Sequence, residues 1–212
     1  MSRIVVFGAG GRTGRRAVAE ASARGHRVTA VVRDPDRHQG LAGDGVTVVA
    51  GDVTSADDVF GAAAGLDAAV NAAVRLDVPS AEFFVGGAHA LLDGLGRAGV
   101  GRLVLVGIGT TLETADGTVV HDTPGFPAEG RAFSLGHAAE LEVLRAAETE
   151  IDWLVLAPPP VVLDDEAPRT GRYRIGGTQV LGDAFSYADL AVALVDEIET
   201  PKHHRVLAAL GA

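Results

Sequence analysis

A run of small residues, Gly8-Ala9-Gly10-Gly11-Arg12-Thr13-Gly14, is the first part of this sequence able to do chemistry. It follows the apolar Ile4-Val5-Val6-Phe7 and precedes Thr13 to Arg24, where Ala and Val recur at helical spacing, so the segment reads as strand, tight loop, helix. Such a loop turns the free amides of a helix N-terminus outward, where a phosphate can sit. A plain strand-to-helix turn also uses glycine, and the spacing Gly8-x-x-Gly11-x-x-Gly14 departs from the common G-x-G-x-x-G fingerprint. Groups that move protons near neutral pH are few. His137, His121 and the hydroxyl of Thr110 or Thr111, in the turn Gly107-Ile108-Gly109-Thr110-Thr111, are the candidates. For His137 the alternative is an exposed histidine in the first turn of a helix, and for His121 a surface residue. His89 reads as structural and Trp153 as core. His203-His204 has no third ligand in view, so no metal site is expected.

The elements that position these groups alternate. Val28 to Val32 is a strand, Pro35 to Leu41 a short helix, Val46 to Ala50 a strand and Ala56 to Ala64 a helix. Leu66 to Val70, Leu103 to Val106 and Trp153 to Leu156 are further strands, with Ala81 to Arg97 and Ala132 to Ala147 as helices between them. The Pro- and Gly-rich stretch Asp116 to Gly130 reads as a loop. A helix from Tyr187 to Ile198 and a closing strand from Arg205 to Ala209 complete the chain. The expected fold is α/β: a Rossmann-like, doubly wound parallel sheet forming one domain over 1–212, with 158–212 contributing a small substrate-side cap.

Composition excludes several classes. The 212 residues carry a net charge of −10 and no cysteine, which removes disulfide scaffolds and thiolate chemistry. No apolar run approaches the ~20 residues of a membrane span, and Met1-Ser2-Arg3 leads straight into a strand, so a cytoplasmic chain without membrane partner is expected. The acidic balance, with no basic block, argues against nucleic acid as a partner. Of the 18 basic residues only Lys202 is a lysine, a usage expected of a GC-rich genome.

From Met1 to about Ala209 the chain resembles the NADH-flavin reductase group within the NmrA-like, NAD(P)H-binding atypical short-chain dehydrogenases. The resemblance is carried by Asp122-Thr123-Pro124-Gly125-Phe126-Pro127, Ile151-Asp152-Trp153, Arg169 to Gly176, Ser186-Tyr187-Ala188-Asp189 and Asp196 to Pro201, together with the glycine spacing. It implies a dinucleotide held by Gly8, Gly10, Gly11, Arg12, Thr13 and Gly14. In this fold an acid at the end of the second strand takes ribose hydroxyls, whereas an arginine accommodates the 2′-phosphate of NADP. Arg33 holds that place, with Arg12 as a second cation, which favours NADP; Asp34, one residue on, keeps NAD as the alternative. Asp52 and Val53 fall where the fold contacts adenine, Asn71, Ala72 and Ala73 on the ribose side, and Pro158 after the sixth strand. Each of these also suits an ordinary loop.

Ordinary short-chain dehydrogenases use a tyrosine as acid and a lysine four residues later. Tyr173 and Tyr187 lack that lysine, and Phe133 and His137 stand in the two registers. Hydride transfer needs no protein nucleophile, because the nicotinamide carries it. The resemblance therefore implies an NAD(P)H-dependent oxidoreductase acting on a small planar aromatic acceptor, a flavin or quinone. A narrower form is a tailoring reductase or oxygenase of aromatic-polyketide metabolism. A dinucleotide-binding redox sensor is the alternative from another class, and an epimerase is disfavoured by the missing tyrosine and lysine. A monomer or homodimer is expected.

Overall fold

The computed structural model describes residues Met1–Ala212. In chain order the elements are β1 (Arg3–Phe7), α1 (Arg12–Ala23), β2 (Arg27–Val32), β3 (Val46–Ala50), α2 (Ala56–Ala63), β4 (Ala68–Asn71), α3 (Ser80–Ala98), β5 (Arg102–Val106), α4 (Ala128–Ala146), β6 (Asp152–Ala157), β7 (Arg174–Ile175), α5 (Tyr187–Glu199) and β8 (Val206–Gly211). Short 3-10 turns cover Pro35–Leu41, Gly109–Thr111 and Val120–Asp122. No helix is long and apolar enough to cross a membrane.

The eight strands form one sheet in the order β3-β2-β1-β4-β5-β6-β8-β7, parallel except for the antiparallel β7–β8 pair. The central strands are apolar on both faces because helices cover both. Ile4, Val6, Val104, Leu154 and Leu156 join a core with Ala17 and Val18 of α1 and Leu190 and Leu194 of α5. Val5, Phe7, Leu103, Leu105 and Trp153 face the other way, onto Val59 of α2, Phe84, Leu91 and Leu95 of α3 and Leu144 of α4. The period of two along each strand thus feeds two separate cores.

The winding direction reverses at β1, which pairs with β2 on one side and β4 on the other. A crevice opens at the carboxyl ends of strands on either side of such a reversal. The glycine loop lies there.

Two expectations need correction. The predicted loop to Gly130 ends earlier, because α4 starts at Ala128 with Pro127 at its N-cap; proline's fixed φ starts a helix as readily as it ends one. His137 is therefore buried well inside α4, not exposed in its first turn. The segment 158–212 is also less a cap than expected: α5 packs against α1, and β8 hydrogen-bonds to β6 inside the sheet. Within 158–186 only the two-residue β7, paired antiparallel with β8, joins the sheet.

This segment is tied down by Asp189. Ser186 caps α5 by accepting the Asp189 N–H, and the buried Asp189 carboxylate accepts the N–H groups of Thr170 (2.8 Å) and Gly171 (2.7 Å) and the Thr170 hydroxyl (2.7 Å). Burial alone would push this carboxyl up, but the hydrogen bonds override it and hold it below the usual range. A carboxyl depressed in the folded state stabilises above the unfolded pKa of about 3.9, and that stability is lost as pH falls through the folded value. The midpoint of chemical denaturation is expected to drop below about pH 4, and Asp189→Asn to flatten that drop. An identical acid profile in wild type and variant would remove Asp189 from this role.

Candidate dinucleotide-binding site

The glycine loop is shaped by contacts that side chains would block. Gly8 has φ +70°, and a Cβ there would lie 2.5 Å from the Ala73 backbone. At Gly14 a Cβ would lie 2.1 Å from the Gly8 carbonyl oxygen, so α1 can approach β1 only with glycine at this position. Gly11 is the N-cap of α1; no side chain caps it and no acidic residue occupies the first turn. The opening amides of the helix are left without intrahelical partners, and the positive end of its dipole is not cancelled locally. This is a cradle that fits an anionic pyrophosphate.

Beside it lies a cleft of about 200 Å³ walled by the ends of β1, β2, β3 and β4. It gathers Gly8, Gly10, Gly11, Arg33, Asp52, Val53, Ala72 and Ala73, eight of the residues singled out in the sequence. Three others line it that the sequence reading did not find: His38, Arg75 and Phe83. The His38 ring covers Gly10, where a Cβ would lie 2.4 Å from Cε1. Arg75 is bound to Asp77 at 2.6 Å.

Asp52 is the acid of the cleft. Its Oδ1 accepts the Thr54 N–H (2.9 Å) and hydroxyl (2.7 Å). Burial pushes this carboxyl up, but the Thr54 hydrogen bonds and the fields of Arg75 and Arg33 hold it below its ordinary value. The floor of the cleft thus carries one carboxylate between two arginines.

The other residues expected at the cofactor lie outside this cleft. Arg12 turns its guanidinium over the Tyr187 ring, 6.0 Å from the centroid, and is held protonated by Tyr187 and Asp165. It does not line the cleft with Arg33, whereas Arg75 does. Thr13 and Gly14 lie in the first turn of α1, where their backbone faces the cradle. Asn71 is buried and spends its side-chain oxygen on the Ala73 N–H at 3.1 Å, fixing the loop. Pro158 is buried with its carbonyl against Gly109.

At the β5 edge the proton-transfer candidates separate into two groups. His121 is buried, and its Nδ1 is 2.7 Å from Ser134 Oγ, which the Thr110 hydroxyl approaches at 2.9 Å. The fully buried Ser134 joins Thr110 to His121 and was not found in the sequence, although it directly follows Phe133. His137 stands apart, its ring 3.7 Å from that of Phe84 and 5.4 Å from that of Phe133, centroid to centroid. Its Nδ1 is 3.3 Å from Glu140 Oε2, but off the line of a hydrogen bond, so this buried nitrogen has no partner. Neither His121 nor His137 is the surface residue of the alternative readings. His89, read as structural, is exposed on α3. His203 and His204 are each taken by a carboxylate, Glu197 at 2.7 Å and Asp152 at 2.8 Å.

Comparison with known proteins accords with this geometry. The profile of a family described as NAD(P)H-binding matches residues 8–201. The uncharacterized protein YwnB of Bacillus subtilis is 34% identical over 95% of this chain and 94% of its own length. A Bacteroides thetaiotaomicron structure, named provisionally as an epimerase, is 32% identical with a TM-score of 0.87, covering 99% of this chain and 96% of that one. A Streptococcus pneumoniae structure, named provisionally as an NADH-flavin reductase, is 27% identical with a TM-score of 0.83, covering 100% and 99%.

Proposed function

Because the chain belongs to the NAD(P)H-binding family of atypical short-chain dehydrogenases, we propose that it is an NAD(P)H-dependent oxidoreductase that passes hydride to a planar aromatic acceptor, a flavin or a quinone. The observation that carries the reading is the conjunction of an uncapped α1 N-terminus with Phe133 in the place of a catalytic tyrosine. The first suits a dinucleotide; the second removes the side chain that carbonyl-to-alcohol chemistry uses as acid. The bound nicotinamide supplies the hydride. Protein residues then need only bind, orient and exclude water.

In this reading the amides opening α1 hold the pyrophosphate, and Gly11, which has no side chain, lets it approach the backbone. Arg33 and Arg75 face the adenosine phosphate, which favours NADP over NAD, and Asp52 meets the adenine side. A conjugated acceptor spreads its new charge over the ring system, so one modest donor suffices beside it. The name given to the pneumococcal relative supports a flavin. The narrower role in aromatic-polyketide tailoring has no residue of the site behind it and is set aside. Consumption of NADPH with riboflavin under nitrogen, corrected for the uncatalysed reaction, tests the reading; saturable consumption is the expected result. Tight NADPH binding without turnover would favour the redox sensor.

His137, in the register of the lysine that holds the nicotinamide ribose, is assigned to positioning the cofactor through its unpartnered nitrogen. His137→Phe keeps the stacked ring against Phe84, so stability is expected to change by less than about 1.5 kcal/mol, while kcat falls about tenfold or more. An unchanged kcat would make His137 a packing residue.

A further inference from the structure

We propose that Thr110, Ser134 and His121 form a proton relay that completes reduction of the acceptor, with His121 as the proton store. The inference rests on the oxidoreductase reading above. Three residues from three separate elements meet here: Thr110 in the turn after β5, Ser134 on α4 and His121 in the 3-10 turn Val120–Asp122. Their polar atoms form a continuous chain, Thr110 Oγ1 to Ser134 Oγ at 2.9 Å and Ser134 Oγ to His121 Nδ1 at 2.7 Å.

The chain has a direction. A hydroxyl has one proton to donate, and Ser134 is fully buried, so both contacts must be met within the chain. With Thr110 donating to Ser134, the Ser134 proton goes to His121 Nδ1, which makes the imidazole neutral with its hydrogen on Nε2. A second proton on Nδ1 reverses every bond: His121 donates to Ser134, Ser134 donates to Thr110, and the Thr110 hydrogen is released outward. Thr110 is half-buried, while Ser134 and His121 are buried, so Thr110 is the end of the chain open to the surface. The imidazolium formed faces Asp122 Oδ2, 3.7 Å from Nε2, and Asp122 also holds Arg131 of α4 at 2.7 Å. The Gly109–Thr111 turn packed against it carries no charged side chain.

The balance closes. The C4–H bond of the reduced nicotinamide breaks and an acceptor–H bond forms, so the nicotinamide is oxidised and the acceptor is left with one added negative charge. The Thr110 O–H bond then breaks as a second acceptor–H bond forms. Ser134 gives its proton to Thr110, and His121 gives its Nδ1 proton to Ser134 and becomes neutral. When the product has left, hydronium at Thr110 gives up one proton, which passes along the same chain to His121, and becomes water.

Two acceptors separate proton delivery from hydride delivery. 1,4-Benzoquinone needs a proton as well as hydride, because its hydride adduct is a phenolate that is protonated at neutral pH, whereas the 10-methylacridinium cation becomes neutral on taking hydride alone. Ser134→Ala is expected to lower kcat with 1,4-benzoquinone about a hundredfold, leave 10-methylacridinium within about twofold, and leave NADPH binding unchanged; Ser134→Thr restores quinone reduction. Thr110→Val repeats the pattern should Ser134→Ala fail to fold. Independently of turnover, nitrogen NMR of histidine-labelled protein is expected to show neutral His121 protonated at Nε2, with its Nδ1 signal displaced in Ser134→Ala. Equal losses with both acceptors, or an Nδ1–H tautomer, would overturn the relay and leave the oxidoreductase reading standing. A wild-type protein that reduces neither acceptor would overturn that reading and the relay with it.

Discussion

Arg33→Glu is expected to weaken NADPH binding by about a hundredfold while NADH binding changes by less than about threefold. Arg33 is exposed at the end of β2, lining the cleft beside Asp52. A charge-assisted bond to a phosphate contributes about 1.5–3 kcal/mol, and a carboxylate in its place adds repulsion. NADH lacks the 2′-phosphate and escapes both effects. Arg12→Ala serves as the comparison, because Arg12 points at Tyr187 and should leave the NADPH to NADH ratio unchanged. Calorimetric titration of both nucleotides against both variants gives the ratio. Equal losses of NADPH and NADH in Arg33→Glu would sink the 2′-phosphate assignment.

Arg102→Ala is expected to cost about 3–5 kcal/mol of stability and about 10 °C or more in Tm, without changing nucleotide affinity. Arg102 opens β5 at the amino edge of the sheet, away from the cleft. Its guanidinium meets Asp152 at 2.7 Å, Glu197 Oε2 at 2.9 Å and the carbonyls of Glu197 and His203 at 3.1 and 3.0 Å. Glu197 is almost completely buried, and its carboxylate also receives the N–H groups of Lys202 and His203 and the His203 ring. Removing the arginine strands this carboxylate in the interior, which costs far more than the pair contributes. A loss under about 1 kcal/mol in urea denaturation would show that Glu197 is neutralised or hydrated there instead.

The elements around the site were legible where a pattern recurs within one segment. Ile4 to Phe7, Val28 to Val32 and Val46 to Ala50 are apolar runs bounded by polar or glycine residues, and each is a strand. The glycine loop was legible because its spacing serves backbone geometry, and the Gly8–Ala73 and Gly14–Gly8 approaches are the physical reason for it. Side-chain direction was not legible. Arg12 opens α1 and Arg33 follows β2, both at the edge of the sheet where its strands end, but only tertiary packing sends one to Tyr187 and leaves the other in the cleft with Arg75. Ser134 was hidden for a related reason: its partners lie 24 and 13 residues away, on elements that meet only when the sheet is wound. The fate of Tyr187 to Gly211 was likewise open, since an apolar helix and strand late in the chain fit a cap as well as a sheet. Pairing of β8 with β6 decides it.

The measurement that tests the account most directly is anaerobic NADPH consumption by the purified protein across flavins, benzoquinones and polycyclic quinones, with NADPH affinity measured on the same preparation and the free reaction subtracted. Saturable oxidation of NADPH with reduction of one acceptor in equal amount is the predicted result. NADPH bound at the cradle yet left unoxidised by every acceptor would contradict it.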